Sequence, residues 1–517
     1  MEQEIQLNQR PSQPQQQVAA GGEEEHHVAD TAKTGPATTP RDNHQEEPPP
    51  AAAGGGVHGQ RSKLTLLQLV FLIYFEVAGG PYGAEKAVSA AGPLFALLGF
   101  LVFPFAWGVP VSLVTAELAA ALPGNGGFVR WADAAFGPLA GSLLGTWKYL
   151  SCVINLAAFP PLVADYLAVA APGSRARAGA VAGMTILLSF LNYAGISIVG
   201  WAAVALAAVS LAPFALMTAM AAPRMRPRRW AATVEGKRRD WRLFFNTIFW
   251  NLNYWDSAST MAGEVERPER TFPRALAVAV VLIAVSYLLP LMAAIGATDV
   301  PPEAWENGYL ADAAGTIGGR WLKYWTEAGA VLSSVGLFEA QLSSGAFQLL
   351  GMAELGLLPS LFAARATTRC CSAATPWVAI AASAAVSLAV SFLGFDDVVA
   401  TANLLYSLGT LLEFAAFLWL RASRRGAAIK RPYRVPLPLP ALAAVCAVPS
   451  AFLVYVVAVA GWRVSAVAAG LTALGVGWHG AMRVCRSKKW LRFNTAVAAD
   501  HHHHLQQDGD APPAGSV

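Results

Sequence analysis

Six long stretches of this chain contain no aspartate, glutamate, lysine or arginine: residues 87–116, 178–223, 275–298, 370–395, 435–462 and 464–482. A helix needs roughly 20 apolar residues to cross a hydrocarbon core. One such stretch fits a buried helix of a soluble protein; six do not. Residues 178–223 suffice for two crossings, with Asn192-Tyr193-Ala194-Gly195 as the turn. Only 14% of the 517 residues are charged, against about 25% in soluble domains. The chain therefore reads as an all-α polytopic membrane protein.

The ends are different. Residues 1–62 are Gln, Pro, Glu, Gly and Ala with few large apolar groups, which predicts a disordered polar tail. Residues 63–491 then form the transmembrane domain, and 492–517 a second disordered tail. The His501 to His504 run in that tail reads as low complexity rather than a metal site. No basic-flanked short apolar core marks a cleavable signal peptide, so the first span is expected to act as the insertion signal. Cys152, Cys370, Cys371, Cys446 and Cys485 lack metal-ligand spacing and read as small apolar residues. No metal or cofactor is expected. The net charge of +4 sits in loops and tails, so no nucleic-acid partner is expected either.

The apolar pattern predicts about 12 spans, near 66–90, 93–120, 138–168, 178–194, 196–222, 243–263, 274–297, 321–351, 376–395, 398–420, 438–461 and 464–483. An even number puts both termini on one side. Basic residues put that side in the cytoplasm: Arg61 and Lys63, Arg267, Arg270 and Arg274, Arg365 and Arg369, and the clusters after spans ten and twelve. Loop 298–320 and Asp396-Asp397 are acidic and fall outside. Loop 224–242 runs against the rule, with eight basic residues on the outer side of this arrangement.

Two spans contain residues that a continuous membrane helix avoids. Glu76-Val77-Ala78-Gly79-Gly80-Pro81-Tyr82-Gly83 interrupts the first, where Pro81 lacks an N–H and the glycines support no helix. Trp250-Asn251-Leu252-Asn253-Tyr254-Trp255-Asp256-Ser257 puts two amides and a carboxylate into the sixth. Non-helical backbone at membrane depth is tolerated only where it lines a cavity or is buried in protein. Breaks five spans apart mark an inverted-repeat transporter with its site at mid-membrane.

These residues resemble the amino acid/polyamine/organocation superfamily, and within it the plant polyamine uptake transporters of the L-type amino-acid transporter group. The resemblance runs from about Leu64 to Leu491. It rests on FEVAGGPYGAE (75–85), VTAELAAALPGNGGFVRWA (114–132), FWNLNYWDSASTMAGEVERPERTFPRAL (249–276), FQLLGMAELGLLP (347–359) and RPYRVP (431–436). It implies a five-plus-five inverted repeat with broken helices 1 and 6 and two added helices. It also implies proton-coupled import of polyamines (spermidine, spermine, putrescine, and other organic dications such as paraquat) across the plasma membrane, with an endomembrane as the alternative. Bacterial relatives have a glycine where Tyr254 stands, so Asn253 is expected to shape that break instead. Asn155 stands in the third span where the plant group often has an acid, which leaves the substrate length open. Heteromeric relatives join a heavy chain through a cysteine after the third span; residues 167–178 contain none, so no disulfide-linked heavy chain is expected.

Ionisable groups inside a bilayer cost about 2.5–3.5 kcal/mol each on insertion scales and default to function. The acids are Glu76, Asp256, Glu339 and Glu413, and the one interior base is Lys148. Polyamines are cationic at neutral pH because amine pKa values lie near about 10, and an excess of acids suits them. Tyr82, Trp250, Tyr254 and Trp255 offer cation–π walls worth about 0.5–2 kcal/mol each. Pro81 removes an amide and Glu76 would repel a carboxylate, which favours a cation without one. The substrate site is thus expected at Glu76, Gly79, Gly80, Tyr82, Asn155, Trp250, Asn253, Tyr254, Trp255, Asp256 and Glu339. Glu76, Asp256 and Glu339 would give three-point recognition, and Asp256 or Glu76 would couple protons. The competing expectations are an amino-acid transporter on the same fold and a non-transporting receptor. An enzyme is disfavoured because no span carries a nucleophile–His pair or metal cluster.

Overall fold

The computed structural model describes residues 63–167, 174–232, 239–368, 371–392 and 395–494. Expectations for the N-terminal tail, Cys370, Lys237, Arg238 and the His501 to His504 run lie outside them, as do the side chains of Cys371, Asp396 and Asp397.

Twelve helical spans appear in the expected order. The first is split into Leu66–Val77 and Glu85–Ala91. The second runs Pro93–Phe103, through a π-helical turn at Pro104–Gly108, to Val109–Ala121. The third divides into Pro138–Leu156 and Phe159–Tyr166, a break that the span pattern did not reveal. Its cause is local: Pro160 and Pro161 donate no N–H to the preceding turn. Arg175–Ala194 and Ile196–Ala221 are the fourth and fifth. The sixth is Trp241–Asn251 followed by 3-10 turns at Ser257–Thr260 and Ala262–Glu264. Pro268–Ala297, Arg320–Glu354, Trp377–Val390, Phe395–Ala422, Leu439–Val459 and Trp462–Ser487 complete the set. Short helices Phe128–Phe136 and Tyr309–Gly318 lie between spans. A small antiparallel hairpin, β1 (Ala366–Thr368) with β2 (Cys371–Thr375), joins the eighth to the ninth.

Six of these helices are long and apolar enough to cross a membrane unaided, among them Pro93–Ala121, Pro268–Ala297 and Leu439–Val459. The first and sixth fall short because they are broken. The packing is that of a protein dissolved in lipid. Ile186, Leu187, Phe190, Val281 and Trp462 are exposed, while Glu76, Lys148, Asp256 and Glu413 are buried.

The packing map repeats between halves. The fifth span packs on the eighth as the third packs on the tenth, and exchanging spans one to five for six to ten interconverts the two pairs. Second with seventh, and third with eighth, map onto themselves. Five is odd, so the halves enter from opposite faces and the repeat is inverted. The eleventh and twelfth stand outside it, both against the tenth, with the twelfth also on the third.

One face gathers the chain before the first span and the ends of the sixth, eighth and tenth. Leu64 pairs with Val265, and its N–H donates to the Glu264 carbonyl at 2.8 Å. The Pro123-to-Gly127 turn wedges in beside them. Gly126 adopts φ +89°, and a Cβ there would stand 3.0 Å from Gly351 Cα, so this close approach requires glycine. Arg365 bridges Glu264 at 2.8 Å and Glu354 at 3.5 Å, while Arg130 reaches Glu354 at 3.4 Å. Glu117 holds Arg421 and Arg431, each at 3.2 Å, and accepts the Val435 N–H at 2.9 Å. Parts of four of the five motifs that carried the resemblance, around Glu117 to Arg130, Glu264, Glu354 and Arg431, thus meet on this face.

The described ends of the basic loop, residues 224–232 and 239–242, lie on the opposite face. Arg229 donates to the carbonyls of Gly296 and Thr298 at 3.2 and 2.9 Å, and Arg224 donates to that of Ile317 at 3.2 Å. Arg239 stacks over Phe95, 4.6 Å from the ring centroid. Arg224 and Arg229 cap helix C-termini, whose carbonyl ends attract positive charge. These contacts tie the described ends of the loop to the structure on that face.

Candidate functional site

At the first break the chain turns through φ +70° at Gly79, +114° at Gly80 and +83° at Gly83, conformations that L side chains disfavour. A Cβ on Gly79 would stand 2.6 Å from Leu337 Cδ1 and 2.8 Å from Ser333 Oγ. The Ser333 hydroxyl donates to the Gly79 carbonyl, replacing the helical bond that the break removes.

The sixth span stops at Asn251. Its left-handed residue is Tyr254, at φ +63°, the position for which the resemblance implied glycine in bacterial relatives. Tyr254 therefore takes the glycine conformation itself and Asn253 does not supply the bend, which corrects the expectation. A non-glycine residue there costs of order 1–3 kcal/mol. Buried contacts offset it: the Tyr254 hydroxyl pairs with Ser151 Oγ at 2.8 Å, and its amide donates to Tyr406 Oη at 3.0 Å. Tyr287 Oη spans the breaks, donating to the Asn251 carbonyl at 3.1 Å and reaching the Ala78 carbonyl at 3.4 Å.

Between the breaks lies a cavity of about 180 Å³. Its walls come from the first span (Glu76, Tyr82, Gly83), the third (Asn155, Phe159), the sixth (Thr247, Trp250, Asn253, Tyr254) and the eighth (Ser333, Ser334, Gln341). Lys86, Asn246 and Asn307 also line it, toward the face opposite the ionic network. Glu76 is 1% exposed, its carboxylate oxygens make no close hydrogen bond to a described residue, and the Ser344 hydroxyl lies toward it. Asn155 donates to Gln341 Oε1 at 3.0 Å and accepts from the Trp250 indole at 3.1 Å, which fixes one wall.

Of the expected residues, Glu76, Tyr82, Asn155, Trp250, Asn253 and Tyr254 converge on this cavity. Five do not line it. Gly79 and Gly80 shape the backbone behind it. Trp255 is fully buried, its indole donating to the Leu252 carbonyl at 2.8 Å and its ring filling the space beside Gly108. Asp256 is bound to Lys148 Nζ and Tyr406 Oη, both at 2.6 Å. Glu339 turns to the fourth span and accepts from Asn192 at 2.5 Å. The expected three-point set of acids is therefore not assembled: one acid faces the cavity and two are engaged elsewhere.

The sequence reading missed Ser333, Ser334, Gln341, Thr247, Asn246 and Lys86. A signal existed for the eighth span, where Thr326, Ser333 and Ser334, and Gln341 recur about every seven residues, a polar stripe on one helix face.

Broken helices enclosing a mid-membrane cavity, in a fold of two inverted halves, define a membrane transporter. Residues 64–476 match the family described as amino acid permease, and the chain belongs to that family. It is 46% identical over 434 residues to Polyamine transporter PUT1 of Oryza sativa subsp. japonica, covering 83% of this chain and 80% of that protein. It is 47% identical over 436 residues to a probable polyamine transporter of Arabidopsis thaliana, covering 83% and 89%. Polyamine transporter RMV1 of Arabidopsis thaliana is 43% identical over 441 residues, covering 84% and 89%. The chain is a multi-pass membrane transporter and not an enzyme.

Proposed function

We propose that this chain is a proton-coupled importer of polyamines, acting at the plasma membrane with both termini in the cytoplasm. The observation that carries this reading is Glu76. It is a buried carboxylate on the cavity wall with no cationic partner among the described residues, beside the aromatic groups Tyr82, Trp250 and Tyr254. An organic ammonium supplies the charge and the donors that Glu76 lacks, and its methylenes fit the aromatic walls. The relatives named as polyamine transporters support the same substrate class. The cavity reaches Asn246 and Asn307, on the face opposite the Arg130–Glu354–Arg365–Glu264 network; with both termini in the cytoplasm that face is the outer one, and this arrangement is outward-facing.

Labelled spermidine uptake in a polyamine-uptake-deficient host tests the proposal. Accumulation should rise with an acid-outside pH gradient and be competed by putrescine and spermine. Uptake that ignores the gradient removes proton coupling, and uptake abolished by free leucine removes the substrate assignment.

One observation favours a second reading. Lys86 lines the cavity's outer end, and with Glu76 it offers one charge of each sign, the pattern for a zwitterionic amino acid. On that reading Lys86→Met weakens amino-acid uptake; on the preferred one it leaves spermidine uptake equal or improved.

A further inference from the structure

A second charged cluster lies behind the cavity wall. Lys148, Asp256 and Glu413 are buried, at 3%, 0% and 0% exposure. Lys148 Nζ stands 2.6 Å from Asp256 Oδ2, 2.6 Å from Thr410 Oγ1 and 3.5 Å from Glu413 Oε2. It also lies 3.8 Å from the Tyr406 ring centroid and 5.3 Å from that of Phe128. Asp256 is fully engaged, its second oxygen accepting from Tyr406 Oη at 2.6 Å. Among the described residues Glu413 has no close hydrogen-bond partner, only the 3.5 Å contact to Lys148.

We propose that Glu413 carries the coupled proton, with Lys148 and Asp256 as the pair that positions it. This rests on the proton-coupled reading above and moves the proton from Asp256 or Glu76 to the tenth span. Charge balance is the reason. One ammonium with two ionised carboxylates leaves a net negative charge in a desolvated core, which is strongly unfavourable. Two acids sharing one such site do not both ionise. Asp256 takes two short donor contacts at 2.6 Å, whereas Glu413 has only the longer contact to Lys148 at 3.5 Å, so the coupled proton is assigned to Glu413.

The cluster communicates with the cavity. Tyr254 lines the wall and donates its amide N–H to Tyr406 Oη, which donates to Asp256. The groups facing Glu413 are Lys148 from the third span, Asp256 from the sixth, Tyr406 from its own span and Cys446 from the eleventh. Glu117 of the second span is committed to Arg421 and Arg431. The step balances over the cycle: the Glu413 carboxylate takes a proton from outside water in the outward-facing arrangement, and the carboxyl returns to carboxylate by releasing that proton to cytoplasmic water in the inward-facing one. Once ionised, Glu413 competes with Asp256 for Lys148 and loosens the contact that holds the sixth-span break.

Purified protein in liposomes tests this with two assays on the same vesicles: spermidine exchange at equal pH, and accumulation driven by an acid-outside gradient. Absence of gradient-driven accumulation in the wild type overturns proton coupling itself. Given that accumulation, Glu413→Gln should keep exchange within roughly threefold while accumulation falls about tenfold or more. Accumulation with the wild-type pH profile in this variant overturns the assignment, as does equal loss of both activities in folded protein. If Glu413→Gln does not fold, Glu413→Asp decides. It should keep exchange and accumulation with a displaced pH midpoint, and an unmoved midpoint overturns the proposal.

Discussion

One hydroxyl joins the two breaks. Tyr287 Oη serves the carbonyls of Asn251 and Ala78, and its ring stacks on Phe100 with centroids 4.6 Å apart. Tyr287→Phe keeps the ring and leaves buried carbonyls without their donor, at a cost of about 1–3 kcal/mol. The Tm of the purified variant should fall; an unchanged Tm would show that the breaks do not depend on this bridge. Glu339 gives a second test at the same scale. It faces Asn192 and not the cavity, so Glu339→Gln should change the KM for putrescine and for spermine by the same factor. A selective loss of the longer substrate would return Glu339 to the site.

Among the elements, the broken first span makes the firmest demand on sequence. Gly79 and Gly137 both sit at positive φ, +70° and +90°, but only Gly79 has neighbours where a Cβ would go. Gly79→Ala should therefore lower thermal stability more than Gly137→Ala, with backbone strain of about 1–3 kcal/mol common to both. Equal losses, read as Tm in detergent, would mean that the Leu337 and Ser333 contacts do not matter. The spans themselves were legible because a charge-free run of membrane length has few other outcomes. The breaks in the first and sixth were legible because Pro81, three glycines, two amides and an acid interrupt such runs. Side-chain direction was not. A membrane helix meets apolar lipid on one side and an apolar core on the other, so hydrophobicity does not tell which way Glu339 or Trp255 points. Nor did the pattern show that Lys148 reaches Asp256, because partners 108 residues apart meet only in the fold. The break at Ala157–Ala158 was written in Pro160-Pro161, but the apolar run around it hid it.

For the whole molecule, one face is shut by the Arg130–Glu354–Arg365–Glu264 network and the cavity lies toward the other. Alternating access then requires that network to part as the inverted halves rock about the breaks. Among the described residues Glu76 is the one carboxylate on the cavity wall, and the account depends on it. Losing a carboxylate that faces a desolvated ammonium costs about 2–5 kcal/mol, or roughly 30-fold or more in affinity. The most direct measurement is equilibrium binding of labelled spermidine to purified wild-type and Glu76→Gln protein, each shown to be folded by its Tm. The account expects wild-type binding that leucine does not displace, and a Kd raised about 30-fold or more in the variant. An unchanged Kd in Glu76→Gln would contradict it.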